Sequence, residues 1–375
     1  MLTEFQLAKK SDLNLKVENF INFDSTQITW DRENKADVEK AKTYEFDKNG
    51  IRISLYRPFF KQNMYFNRKL NNCIYQQYKH YPINSLNNIS ICTTGEGNLG
   101  FSVLIANLLP DLCFTKTGNG GSQCFPLHYY EENTSTQTAM FDGSSKQDYI
   151  KREGVSDFIL ERAQQQYGKS VTKEDIFYYV YGFLHSPEYR ETFANDLKKM
   201  LPRLPLVEAV KDFWAFSKAG RQLADLHLNY ESVPAYKGVI VLFNPLDIKD
   251  TLSQTRKKEI EYLNYRVQKM RFPKKDQKDS IIYNSQITIE NIPARAYEYV
   301  VNGKSAIEWI MERYQVTTHK ESGIVNDPND WATEVGNPRY ILDLLLSIIN
   351  VSVQTVDIVN SLPKVKFGET RATEQ

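Results

Sequence analysis

The chain has 375 residues, enough for about two domains or one large one. Its 47 basic and 46 acidic residues leave a net charge of +1, which excludes a histone-like protein and an acidic tail but not a locally basic surface. Apolar residues make up 41% and aromatics 13%, so a sizeable core rich in large flat side chains can form.

Residues 1–50 read as a linker, the exit from a preceding domain. The stretch 1–10 carries Glu4, Gln6, Lys9 and Lys10 and lacks the apolar core of a signal peptide. Residues 31–48 are charge-dense and helix-friendly, with a stop at Asn49-Gly50 and little apolar content for a core. Residues 51–149 read as β-rich. Ile51, Ile53 and Leu55 alternate with Arg52, Ser54 and Tyr56, the period of a half-buried strand. Ile89-Ser-Ile-Cys92 is a short strand, 101–109 fits a strand or a short helix, and Pro110 ends it. Residues 118–121 form a Gly/Asn loop, and 133–148 read as a long polar loop or boundary.

Residues 150–235 read as helical. Phe158, Ile159, Ala163 and Tyr167 follow Ser156 at helical spacing, Thr172 and Asp175 fit a capping box, and Pro187 marks a new helix start. The run 207–228 places Phe213, Trp214, Leu223 and Leu226 largely on one side of a long helix. Residues 236–365 are mixed. The continuous apolar run Val239-Ile-Val-Leu-Phe243 predicts a strand covered on both faces. Asn284-Ser285 between two isoleucine-rich runs signals a hairpin, and 297–301 is extended. Short and long helices are expected at 305–314 and within 338–362, and 366–375 is a tail. The most apolar stretch, 340–359, is interrupted by Asp343, Asn350, Gln354 and Asp357, so no membrane span is expected. The fold class is therefore α+β, a β-rich part with an inserted helical subdomain.

The four cysteines (Cys73, Cys92, Cys113, Cys124) fit free thiols in a reducing cytoplasm. Cys113 and Cys124 with His128 lack the close paired spacing of a zinc knuckle. Gly95-Glu-Gly-Asn-Leu-Gly100 matches the dinucleotide fingerprint, but Pro110 interrupts the required helix and no acidic partner follows at the right distance. Gly303-Lys-Ser305 has the ending of a phosphate loop, yet Glu298 stands where its first glycine belongs, so a turn and a helix cap are expected. Asn244-Pro-Leu-Asp247 lacks the second proline and the aromatic of an amino-methyltransferase motif. The five histidines are scattered; His185 and His227 read as packed or helix-surface residues, and no catalytic residue is assigned.

Charge is unevenly placed. Residues 249–278 hold ten Lys/Arg against four acids, an excess of six positive charges, with Tyr262 and Tyr265 between them. Such density can neutralise several phosphates, or it can be a solvated surface loop. A second cluster, Arg52, Arg57, Lys61, Arg68 and Lys69, lies among Tyr56, Phe59, Phe60, Tyr65 and Phe66. It fits either base-reading arginines or a hairpin with a charged outer face. The candidate DNA contacts are Arg52, Arg57, Lys61, Arg256, Lys257, Lys258, Arg271, Lys274 and Lys275.

Several runs resemble the C-terminal specificity region of type ISP restriction-modification enzymes. They are Ser54-Leu-Tyr-Arg-Pro-Phe59, Gln123-Cys-Phe-Pro-Leu127, Tyr181-Gly-Phe-Leu-His-Ser-Pro-Glu-Tyr-Arg190 and Leu201-Pro-Arg-Leu-Pro205. Ala219-Gly-Arg-Gln-Leu-Ala-Asp-Leu-His-Leu-Asn-Tyr-Glu231, Gly303-Lys-Ser-Ala-Ile-Glu-Trp309 and Ser322-Gly-Ile-Val-Asn-Asp-Pro-Asn329 follow in order. The resemblance implies a target recognition domain that binds a short asymmetric site in double-stranded DNA. It also implies an upstream methyltransferase domain, in the same or a companion polypeptide, to which the adenine is presented, and makes 1–50 the tail of that region. S-adenosylmethionine, ATP and Mg belong to the parent enzyme, and this chain is expected to hold no cofactor. Two alternatives stay open: an autonomous methyltransferase using 95–100 and Asn244-Pro245, and a protein-interaction domain without catalysis.

Overall fold

The computed structural model describes residues 2–12, 14–24, 26–27, 30–96, 100–115, 121–133, 148–249 and 251–367. The interior of the expected 133–148 loop, most of the 118–121 loop, the middle of the 95–100 motif and the tail from 368 lie outside the described residues. The N-terminal segment contains α1 (Leu2–Ser11) and α2 (Arg32–Glu39), the latter capped by Asp31, whose carboxylate accepts from Asn34 N at 2.7 Å. Sparse apolar content predicts little core here. Phe5, Val17, Ile21 and Val38 nevertheless bury a small one.

The strands β1 (Ile51–Arg57) and β2 (Phe60–Tyr65) form an antiparallel hairpin. The short α3 (Gln77–His80) leads to β3 (Ser90–Thr94), β4 (Val103–Ala106) and β5 (Leu109–Pro110). β5 pairs with β1 in parallel, and β6 (Ser122–Pro126) completes a sheet of order β4-β3-β6. β7 (His128–Glu132) and β8 (Tyr149–Glu153) form a separate ladder. The ambiguous stretch 101–109 is thus two strands. Its side chains alternate between two cores, which is why both β3 and β4 are buried throughout. Ile91, Val103 and Ile105 face the helical core, while Cys92, Leu104 and Ala106 face the other.

The helical core is built by α4 (Asp157–Tyr167), α5 (Lys173–Phe183), α6 (Pro187–Thr192) and α7 (Val210–Leu228). Ser156 caps α4, Thr172 and Asp175 close the expected capping box on α5, and Pro187 opens α6. Helices α5 and α7 cross with their backbones in contact. A Cβ on Gly220 would lie 1.8 Å from Tyr178 O, and one on Gly182 would lie 2.2 Å from Phe216 O. Aromatic rings fill the rest, with Phe213 stacked between Tyr167 at 4.2 Å and Tyr179 at 5.0 Å.

The remaining chain supplies β9 (Ile240–Phe243), α8 (Gln254–Tyr265), β10 (Ile281–Ile282) and β11 (Ile287–Glu290). After them come β12 (Val300–Val301), β13 (Lys304–Ser305), α9 (Ala306–Arg313), β14 (Thr317–Thr318) and β15 (Val325–Asn326). The chain ends in α10 (Asn329–Glu334) and α11 (Tyr340–Asn360). The hairpin at Asn284-Ser285 forms as expected: Asn284 Oδ1 accepts from the backbone N–H of Gln286 and Ile287. Asn302 (φ 48°) and Gly303 (φ 77°) make the tight turn joining β12 to β13, and Ser305 with Glu308 caps α9. The expectation for β9 fails. It is the edge of the sheet β10-β11-β9, and all four of its residues are exposed, with Phe243 stacked on Tyr265 at the end of α8. α11 is long and apolar enough to cross a membrane, but most of its residues are buried inside the fold. His227, on α7, links the two cores: its Nδ1 meets Tyr181 OH at 2.6 Å and its Nε2 meets Thr355 Oγ1 on α11 at 2.9 Å.

Candidate nucleic-acid interface

The two basic clusters occupy different environments. In the β1–β2 hairpin the cations point into the chain's own structure. Arg52 donates to the carbonyls of Tyr81 and Pro82, and its guanidinium lies over Phe66 at 4.8 Å. Arg57 pairs with Asp111 at 2.6 Å and lies over Tyr56 at 4.0 Å. Lys61 reaches Glu231 at 2.7 Å, beyond the end of α7, and Glu231 also accepts from Tyr340 OH. These three side chains tie the hairpin to the segments around it.

The cluster on 249–278 faces solvent. Ser253 caps α8 by accepting from Arg256 N at 3.2 Å, which places Arg256 and Lys257 in its first turn and Lys258 at the start of the second. Arg256 pairs with Glu259 at 2.6 Å, but both are more than half exposed, so the pair holds Arg256 weakly. Lys258 is exposed and lines an open groove of about 590 Å³ with Arg256, Tyr262, Arg266, Asn329 and Thr333. Beyond the helix, Arg271 bonds Ile282 through its backbone in both directions, leaving its side chain exposed. Lys274 and Lys275 sit in the following turn, also exposed, and no ion pair to either is formed among the described residues. The two tyrosines differ as well: Tyr262 lines the groove, while Tyr265 stacks on Phe243 at 5.5 Å.

One element beside this surface escapes the sequence reading. The β14–β15 ribbon is rooted next to the basic segment: Val316 N donates to Gln268 O, and the Asn329 amide both accepts from Val267 N and donates to Val267 O, each at 2.8 Å. Its outer residues Thr317, Thr318, His319 and Lys320 are exposed. The strands are two residues each, too short for a periodicity signal; Gly323, in the left-handed region at φ 68°, is the only local marker.

The catalytic alternatives do not assemble. After β3 the next described element is the antiparallel β4, so among the described residues of this motif no helix N-terminus is offered to a pyrophosphate or to S-adenosylmethionine. Gly303-Lys-Ser305 is a hairpin turn and a cap, and Asn244-Pro245 ends β9. Cys124 lies directly across from Cys92, with their Sγ atoms 3.4 Å apart, while His128 pairs with Glu153. Among the described residues no cluster of His, Cys, Asp or Glu is arranged to hold a metal.

Fold and sequence runs together place the chain among the specificity domains of restriction-modification enzymes. Residues 4–344 match the model of the type ISP C-terminal specificity domain, and the chain belongs to that family. Among solved structures it is similar to the ATP-dependent type ISP restriction-modification enzyme LlaBIII bound to DNA. Identity is 36% and the TM-score 0.77, over 92% of this chain and 20% of that one. A nuclease-deletion mutant of the type ISP enzyme LlaGI, in complex with a DNA substrate mimic, matches at 36% identity and TM-score 0.77, over 98% of this chain and 31% of that one. The DrdV–DNA complex matches at 30% identity and TM-score 0.73, over 91% of this chain and 31% of that one. The chain thus spans a fifth to a third of the solved chains it matches. No curated protein matches it.

Proposed function

We propose that this chain recognises a specific sequence in double-stranded DNA for a type ISP restriction-modification enzyme. It would present the target adenine to a methyltransferase domain, in the same or a companion polypeptide, in a bacterial cytoplasm. The observation that carries this reading is the likeness over nearly the whole chain to enzymes solved with DNA. In this reading the chain works without a cofactor of its own; S-adenosylmethionine, ATP and Mg serve the rest of the enzyme.

The exposed cations of the second cluster are the phosphate contacts: Lys258, Arg271, Lys274 and Lys275, with Arg256 and Lys257 beside them. Phosphate contacts set position and affinity, and loop side chains read base edges. Arg52, Arg57 and Lys61 shape the scaffold that holds those loops. The test is a titration of duplex DNA binding against salt. Each phosphate neutralised contributes about 0.9 to the slope of log affinity against log salt. Replacing Lys258, Lys274 and Lys275 by Gln lowers that slope by up to about 3. An unchanged slope moves the contact surface elsewhere, and no salt dependence in the parent chain rejects DNA binding through phosphates.

A further inference from the structure

All four cysteines are free thiols, but two of them are placed to form a bond. Cys92 on β3 and Cys124 on β6 are register partners, and their Sγ atoms stand 3.4 Å apart. The ladder makes this the closer type of cross-strand pair. Leu127 N donates to Ile89 O at 2.8 Å, so Ile89 and Leu127 are a hydrogen-bonded pair. Bonded pairs recur at every second residue, at Ile91–Phe125 and Thr93–Gln123, and Cys92 and Cys124 form the non-hydrogen-bonded pair between them. The other side of β3 agrees: Thr94 N donates to Ser102 O, which sends the peptide groups of Cys92 towards Leu104 on β4. Non-hydrogen-bonded partners approach to about 4.5 Å between Cα atoms, within the span that a disulfide bridges.

The two sulfurs differ in access. Cys92 is fully buried in the core, while Cys124 is half-buried and lines an open cavity of about 640 Å³ with Cys73, Ile74, Gln77 and Asp111. Gln77 Nε2 donates to Cys124 Sγ at 3.7 Å and holds that sulfur at the cavity wall. We propose that Cys92 and Cys124 are a redox modification site, which hydrogen peroxide entering this cavity converts to a disulfide. The Cys124 sulfur attacks one peroxide oxygen, the O–O bond breaks, and Cys124 becomes a sulfenic acid with release of one water. The Cys92 sulfur then attacks the Cys124 sulfur. The S–S bond forms, the S–O bond breaks, and the departing hydroxide takes the Cys92 proton as a second water. Two thiols are oxidised and one peroxide is reduced to two waters. The sulfurs close from 3.4 Å to about 2.0 Å. The bond ties β6, at the edge of the sheet β4-β3-β6, to its central strand. In a reducing compartment the dithiol prevails and the disulfide is transient.

Titration of the 375-residue chain with hydrogen peroxide, followed by peptide mapping under non-reducing conditions, tests this directly. The expected product is a link between Cys92 and Cys124, which dithiothreitol reverses. The linked chain should melt about 2–4 °C above the reduced one. Cys124→Ser abolishes both the link and the shift. Cys73→Ser, at the exposed cysteine of the same cavity, changes neither. A link between any other two cysteines overturns the proposal, as does a Cys124 that stays unlinked, whether as a thiol or as a sulfinic acid. Mapping of the unsubstituted chain decides the matter even if a variant folds poorly. DNA binding is a separate readout, so failure of one leaves the other standing.

Discussion

Arg52 donates to two backbone carbonyls beneath the β1–β2 hairpin and covers the face of Phe66. Its removal leaves those acceptors without a partner, and Arg52→Ala is expected to cost about 2 kcal/mol of stability. Denaturant unfolding checks this, and the salt slope of DNA binding should not change. The buried histidines supply a second prediction at this scale. Burial pushes His227 down to about 3 and holds His185 well below the usual imidazole range, with the nearby Arg190 acting in the same direction. An unfolded histidine takes up its proton near pH 6.5. Between that value and the folded pKa the unfolded state binds more protons, so stability is full above about pH 6.5 and falls as the pH drops below it. Each such group contributes a slope of about 1.4 kcal/mol per pH unit. The melting temperature should already decline between pH 6.5 and 5, above the range where carboxylates titrate; a flat profile there contradicts the account. At this scale the sequence shows which residues are cations and which are histidines. It does not show which cations have internal partners: Asp111 and Glu231 lie 54 and 170 residues from Arg57 and Lys61.

Helices α5 and α7 approach closely because Gly182 and Gly220 have no side chain at their crossing. Gly220→Ala forces a Cβ into Tyr178 O and should destabilise the fold by about 3 kcal/mol, measurable by thermal or denaturant unfolding. Ser305→Ala opens the capping box of α9 and should cost about 1 kcal/mol in the same assay. Caps of this kind were legible because the donor and acceptor lie within four residues: Ser156, Thr172 and Ser305 all perform as their spacing indicates. Strands were harder. β4 faces two cores at once, so its run of apolar residues carries no alternation to separate strand from helix. β9 carries a buried strand's composition on an exposed edge, a mismatch that no local pattern reveals.

Two cores divide most of the molecule, and β3, β4 and α11 contribute to both or bind them together. The α+β class follows from local periodicity and was legible, and the family was legible from short runs in a fixed order. The solvent-facing basic surface was only half legible. Charge counts located both basic clusters, but three-dimensional pairing separates the inward Arg52, Arg57 and Lys61 from the solvent-facing 256–275 group. The β14–β15 ribbon rooted beside that group was invisible to pattern reading. The central claim is that this chain selects a DNA sequence, and selection from a randomised duplex library at near-physiological salt tests it most directly. One asymmetric site should be enriched over successive rounds and bound more tightly than random duplex. Salt-sensitive binding with no enrichment would contradict sequence recognition by this chain.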